Sequence, residues 1–400
     1  MSRPLLALYT ASGLSLGGNA LGAVLVPLYV LETTGSPLAA GAAGACAAVP
    51  VVAGGALGGV LVDRVGFRRA AIVADLLSGL TVLAIPLLAM TIGLPLWALL
   101  ILVFLGGVFD TPGSTAKMAM APDLAAGAGV AVSRPATTMS VISRLATLIG
   151  ASVAALLVVL IGPLAAFVVD GAAFVIGVVV LLLFVPRVVS TDPVEPMTGY
   201  WRELADGFRF IARESAIRMI IGVVLVTNLV DAAGLAVLRP SYARTVDESG
   251  AVLGVMIAVG AGGAIIGGAL FHVLDRRVPR RVLFSVCFVL AGPGTFAVMA
   301  LDAPLPVLLA VFGLAGLAAG PINPLLSTVL YERVPRAMRA RVLGAVSTGV
   351  NLGTPVGALV AGVTVDAFGL QAVLIGAALV YLLVTLATFL SRTDMRAPHS

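Results

Sequence analysis

Charge is scarce in this sequence: only 11% of its 400 residues are Asp, Glu, Lys or Arg, where a soluble domain carries about 25%. With 60% apolar residues the chain cannot clothe a water-facing surface, which excludes an ordinary soluble enzyme or binding domain. Histidine is scarcer still. His272 and His399 lie far apart, so a membrane-embedded enzyme, the reading from another functional class, lacks the catalytic cluster it would need. Lysine occurs once, and Lys117 follows Ala116, so the phosphate-cradling loop of an ATPase (Gly, four residues, Gly-Lys) is missing. Cys46 and Cys287 stand alone in apolar stretches; they form neither a disulfide framework nor a metal site and read as packing. No cofactor is expected.

What the sequence has is long apolar runs, with a mean hydropathy of +1.13. Because a spanning helix takes roughly 20 apolar residues, the bilayer rather than water sets the architecture. The runs cover approximately 5–31, 36–62, 70–92, 95–118, 137–161, 163–186, 217–239, 251–274, 282–301, 304–330, 342–365 and 370–391. Gly35-Ser36-Pro37, Gly93-Leu94-Pro95, Gly162-Pro163 and Ala303-Pro304 mark tight turns between them. The first run is too long for a signal-peptide core and reads as a retained helix. The expected fold is therefore all-α, with twelve transmembrane helices.

The net charge of +5 does not point to nucleic acid, because the arginines gather in short loops between apolar runs. Nearly all of them fall on one side, from Arg64, Arg68 and Arg69 to Arg392 and Arg396; Arg239 and Arg244 alone fall clearly on the other. By the positive-inside rule both termini are cytoplasmic. An internal repeat supports an even helix count: Gly55, Asp63, Arg64, Arg68 and Arg69 recur 212 positions later as Gly267, Asp275, Arg276, Arg280 and Arg281. Pro112 likewise maps onto Pro324, and Asn19 onto Asp231. Two parallel six-helix bundles follow, at 1–187 and 217–400, joined by a linker over 188–216. In that linker Trp201, Leu204, Phe208 and Ile211 recur at helical spacing, which predicts an amphipathic helix at the cytoplasmic interface.

The loop after the second run, Gly59-Val-Leu-Val-Asp63-Arg64-Val-Gly66-Phe-Arg68-Arg69, resembles the signature between helices 2 and 3 of the major facilitator superfamily, with every fixed position filled. The second copy keeps the charges but has Phe271 and Val278 at the glycine positions. Softer features resemble bacterial exporters of the macrolide-efflux and enterobactin-exporter type: Phe109-Asp110-Thr-Pro112, Ala121-Pro122-Asp123-Leu124 and Phe167-Val-Val-Asp170. The Gly-Pro motif usual in helix 5 of drug–proton exporters is reduced here to Gly150-Ala151-Ser152, and a related pattern, Gly353-Thr-Pro355-Val-Gly357, stands in the eleventh run. The resemblance implies a monomeric secondary transporter in a bacterial inner membrane, two bundles rocking about a central cavity. It would move a small apolar or amphipathic molecule, as an exporter coupled to protons or another ion, with a nutrient importer of the same fold as the rival.

Ionisable groups inside the runs cost roughly 2.5–3.5 kcal/mol each on insertion scales, so they are the candidate site residues. Asp110 and Arg144 lie at matching depths on consecutive runs, and an ion pair between them is expected. Asp170 reads as structural. Asp75 and Lys117 stand close enough to the cytoplasmic face to snorkel and receive no site. Asn228, Asn323 and Asn351 are polar groups in apolar runs, either interhelical glue or cavity lining. Asp63, with Arg64, Arg68, Arg69, Asp275 and Arg276, suits a cytoplasmic gate, since a carboxylate there accepts bonds from helix N-terminal amides and arginines. Asp231 lies fourteen residues into the seventh run, roughly 20 Å into a core about 30 Å thick, with Thr227 and Asn228 extending a polar stripe and Arg239 two turns above. A carboxylate there can take a proton from one side and release it to the other, and its repeat mate Asn19 would line the same cavity.

Overall fold

A computed structural model describes residues 3–126, 133–186, 209–247, 251–334 and 339–390. Within these, the side chains of 52–65, Arg144, 272–276 and Asn351, among others, lie outside the described residues. Every regular element described is helical. In the first part of the chain these are α1 (Arg3–Thr34), α2 (Pro37–Val65), α3 (Phe67–Thr91), α4 (Leu96–Ala126) and α5 (Ser133–Phe184). At 1.5 Å per residue, the 52 residues of α5 would measure about 78 Å, more than twice the hydrocarbon thickness. Gly162 resolves this: its φ of 80° and ψ of 164° are open to glycine alone, and Pro163 follows with no N–H to continue the ladder. The expected break between the fifth and sixth spans is thus present, and α5 consists of two arms.

The second part holds α6 (Ser215–Ala233), a π-helical turn (Gly234–Leu238), α7 (Arg239–Val246), α8 (Ala251–Arg277), α9 (Arg280–Ala291), α10 (Pro293–Ala300), α11 (Leu305–Ala319), α12 (Ile322–Arg333), α13 (Arg339–Phe368) and α14 (Leu370–Leu390). The ninth and tenth spans, expected as single helices, are each divided, at Gly292-Pro293 and Gly320-Pro321, where proline withdraws a backbone donor. Among the described residues nine helices are long and apolar enough to cross a membrane, and Pro37–Val51 and Leu352–Phe368 are shorter apolar ones. Together with the first arm of α5 this is consistent with twelve spans. The expected linker helix falls mostly outside the described residues.

The chain divides into two compact units, Met1–Glu195 with Ala243–Gly254 and Pro196–Tyr242 with Val255–Ser400. In the first, α1 packs chiefly on α5, and α4 on α2 and α3; in the second, α6 packs on α13 and α10 on α14. The outward faces carry leucines such as Leu160, Leu183 and Leu383, each about two-thirds exposed. Such a surface suits lipid, where the backbone is already satisfied within each helix.

Close backbone contact holds α8 to α11. A Cβ on Gly316 would lie 1.9 Å from the carbonyl oxygen of Gly260, and one on Gly267 would lie 1.9 Å from that of Leu317. Small residues let membrane helices approach this far, and packing supplies the attraction that hydrophobicity cannot supply in lipid.

Candidate functional site

In the C-terminal unit the site is built by Pro240. Inside a helix, proline removes its own N–H and its ring crowds the carbonyl four residues back, here that of Ala236. The chain answers with the π turn at Gly234–Leu238, where Arg239 N–H bonds to Gly234 O, five residues back. A π turn absorbs one extra residue. Eight residues of regular α-helix would leave Asp231 and Arg239 about 80° apart around the axis; with one residue absorbed they behave as seven, about 20° apart. Both side chains thus share a face, and Arg239 Nη2 lies 3.4 Å from Asp231 Oδ1.

The other oxygen of Asp231 accepts from Tyr381 Oη, also at 3.4 Å. Tyr381 reaches it because its ring lies over Gly292, where a Cβ would stand 2.1 Å from the ring. Arg239 in turn lies over the rings of Phe296 and Phe312, 5.8 Å from each centroid, a cation–π setting. Both bonds to the carboxylate are long beside the 2.7–2.9 Å typical of charge-assisted ones, and the Asp231 side chain is 45% exposed. The acid is held loosely between a cation and a phenol.

In the N-terminal unit the decisive pair is one the sequence reading set aside. Lys117 and Asp75 do not snorkel. Lys117 Nζ lies 2.7 and 3.0 Å from the two carboxylate oxygens of Asp75 and donates a third bond to Ser15 on α1; the two charged side chains are 2% and 0% exposed. Its three donors are therefore used, and the ion pair ties α3, α4 and α1 together. One turn along α1, Asn19 donates from Nδ2 to Asp110 Oδ2 at 2.8 Å. The other oxygen of Asp110 is buried without a partner among the described residues, as is Oδ1 of Asp170, which rests against Gly18 so closely that a Cβ there would lie 2.6 Å from it. Between α1, α4 and α5 opens a cavity of about 310 Å³, lined by Asp110, Lys117, four serines, Leu16, Met118 and Met139.

The predicted site residues fare differently. Asn19 and Asp110 come together, although the sequence matched Asn19 with Asp231 and Asp110 with Arg144; the side chain of Arg144 lies outside the described residues. Asn228 turns back onto its own helix, donating to Val224 O at 2.8 Å, and buried Thr227 does the same to Val223 O. Asn323 is exposed on the first turn of α12, and Asn351 lies outside the described side chains. So do Asp63, Arg64, Asp275 and Arg276. Arg68 is described: it donates to Val185 O at 2.6 Å and Leu182 O at 2.8 Å, satisfying the open carbonyls at the C-terminus of α5, while Arg69 is exposed. Tyr381 was missed, as was the Lys117–Asp75 pair, for which one signal existed: a single lysine in a chain whose other 23 basic residues are arginine. Among the described residues no three His, Cys, Asp or Glu side chains gather at metal-binding distance.

Two helical units with carboxylates inside apolar spans meet a decisive match in sequence: the profile of the Major Facilitator Superfamily fits residues 8–279 and again 223–400. The chain belongs to that superfamily. Among its superfamily relatives, the multidrug efflux pump Tap of Mycolicibacterium fortuitum is 28% identical over 394 residues, 97% of this chain and 96% of the pump. The enterobactin exporter EntS of Escherichia coli O139:H28 (strain E24377A / ETEC) is 26% identical over 96% of this chain and 92% of its own. A crystal structure of a mutant nucleoside transporter NupG superimposes with a TM-score of 0.79 at 16% identity, covering 96% of this chain and 99% of that one, a likeness of fold. The chain is thus a superfamily transporter and a multi-pass membrane protein, with the fold of a transporter and not of an enzyme.

Proposed function

We propose that this chain exports a small amphipathic molecule from a bacterial cell by alternating access, driven by proton entry. Both termini would lie in the cytoplasm and the working unit would be a monomer. Export is supported by similarity along nearly the whole chain to a pump named for multidrug efflux and to an enterobactin exporter. The observation that carries proton coupling is Asp231, an intramembrane carboxylate half-open to its surroundings and held by two long bonds, from Arg239 and Tyr381. A group that carries protons must lose its partners cheaply, and bonds at this length are easily exchanged for a proton.

The experiment is reconstitution in liposomes with an imposed pH gradient, comparing wild type with Asp231→Asn. Loss of gradient-driven movement with substrate exchange retained is the expected result. Unchanged gradient-driven movement in the variant excludes Asp231 as the coupling group. Outward movement driven by inward proton flow separates export from nutrient import, which would run with the protons.

A further inference from the structure

Thr227 and Asp231 stand four residues apart in α6, so their side chains share one face of the helix, one turn apart. α14 packs on α6 and lays Tyr381 across both. The phenol oxygen lies 3.4 Å from Asp231 Oδ2, and the Thr227 hydroxyl is its other hydrogen-bond neighbour. The ring has nowhere to go: Tyr381 is 2% exposed, seated on Gly292 and beside Phe296, with 6.4 Å between ring centroids. What stays free is rotation of the hydroxyl about its C–O bond.

A single hydrogen decides which neighbour that hydroxyl serves. A phenol donates once and accepts through its lone pairs. Thr227 spends its own hydrogen on the carbonyl of Val223 at 2.9 Å, so towards Tyr381 it only accepts. An ionised Asp231 also only accepts. Tyr381 thus faces two acceptors with one hydrogen, and the charged acceptor wins, because bonds to an ionised partner are roughly twice as strong. Protonation of Asp231 reverses the arrangement. The added proton belongs on Oδ2, since Oδ1 faces the guanidinium of Arg239, which accepts no hydrogen bond. Asp231 then donates to Tyr381 Oη, and the phenolic hydrogen turns to Thr227. Each hydrogen has an acceptor in both states, and a separation of 3.4 Å is too long to lock either one. Among the described residues, Arg239 and Tyr381 are the charged and titratable groups that face Asp231; α13, which also packs on α6, brings Gly353 and Gly357 to the contact.

We propose that Thr227 is a positioning residue for the proton: it receives the Tyr381 hydroxyl whenever Asp231 is protonated, and so stabilises the proton-loaded state without touching the carboxylate. The inference rests on Asp231 as the coupling group for its part in transport, but the switch itself is read at Asp231 with no gradient and no cargo.

The test is an infrared pH titration of the purified full-length protein, following the carboxylic-acid carbonyl band that Asp231→Asn removes. Thr227→Val keeps the size of the side chain and takes away its acceptor. It should lower the pH of half-protonation by about 0.5–1 unit, the contribution of one neutral hydrogen bond. Thr227→Ala should do the same, and Thr227→Ser should restore the wild-type midpoint. In a Tyr381→Phe background Thr227→Val should have no effect, because no hydroxyl remains to turn. An unchanged midpoint in Thr227→Val and Thr227→Ala, an equal shift with and without the phenol, or the lack of any titrating band that Asp231→Asn removes would each overturn the proposal. The expected shifts beside unchanged gradient-driven movement in Asp231→Asn would uphold the switch and defeat the coupling reading, so the two failures are distinguishable.

Discussion

Lys117 donates to both oxygens of Asp75 from a position sealed off from solvent, and to Ser15 on a third helix. Removing one member of such a pair leaves a lone buried charge, whereas removing both leaves only a packing change. Lys117→Met and Asp75→Asn should each destabilise the protein by about 3–5 kcal/mol, with the double variant recovering most of the loss. Thermal unfolding of the four proteins in detergent measures this. Additive losses would show that the two side chains contribute independently.

Arg239 and Asp231 form a contact of the opposite kind, long and half-exposed. A pair of this sort contributes roughly 1 kcal/mol or less to stability. Arg239→Gln should therefore barely move the melting temperature while gradient-driven transport falls strongly. Tyr381→Phe removes a single long bond and should cost at most about 1.5 kcal/mol, up to about tenfold in rate. A large drop in melting temperature for Arg239→Gln would place that residue in the scaffold instead.

Gly316 tests the α8–α11 contact. A methyl group there would meet backbone, not a side chain that can swing away, and overpacking costs typically about 1–3 kcal/mol. Gly316→Ala should lower both the melting temperature and the yield of folded protein. Gly222, in α6, would meet nothing within 4 Å, and Gly222→Ala should stay within about 1 kcal/mol of wild type. Similar behaviour of the two variants would refute the close approach.

Arg68 bonds to two carbonyls at the end of α5. Bonds from a charged donor contribute about 1.5–3 kcal/mol, so Arg68→Ala should lower stability by that order, and Arg68→Lys, with a point charge instead of a fork, should recover part of it. Asp63→Asn at the same loop should preserve folding and slow transport, because a gate charge makes its bonds in only one of two states. Normal transport by Asp63→Asn at equal expression would show the loop to be a topology signal alone.

The spans were legible because hydropathy and Gly-Pro punctuation act locally: Gly35, Gly93 and Gly162, marked from sequence as turns, all have positive φ. Partnerships were not legible, since they depend on which helices touch. Asn19 and Asp110 were both singled out, yet nothing in a hydropathy profile says that α1 lies beside α4. Lys117 was misplaced through a boundary. The fourth run, as read from the sequence, ends near position 118, short of Pro122 and Asp123, but the helix passes through both and continues to Ala126, which sets Lys117 nine residues, about 13 Å, from the helix end. The division of the ninth span escaped notice because Gly292-Pro293 sits in an otherwise unbroken apolar run.

The extra residue in the π turn has a consequence for variation. Deleting any one of Gly234 to Leu238 would let the segment return to regular α-helix with seven residues from acid to base, about 20° apart, so the pair would still share a face; inserting one more residue would swing Arg239 by about 100° away from Asp231. A scan of point substitutions across those five positions would find a tolerant apolar stretch and overlook this. The meeting of acid and base is encoded as a spacing, so among relatives a one-residue gap in this segment is compatible with the same pair and a straight helix, while a one-residue insertion is a larger difference than several changed letters.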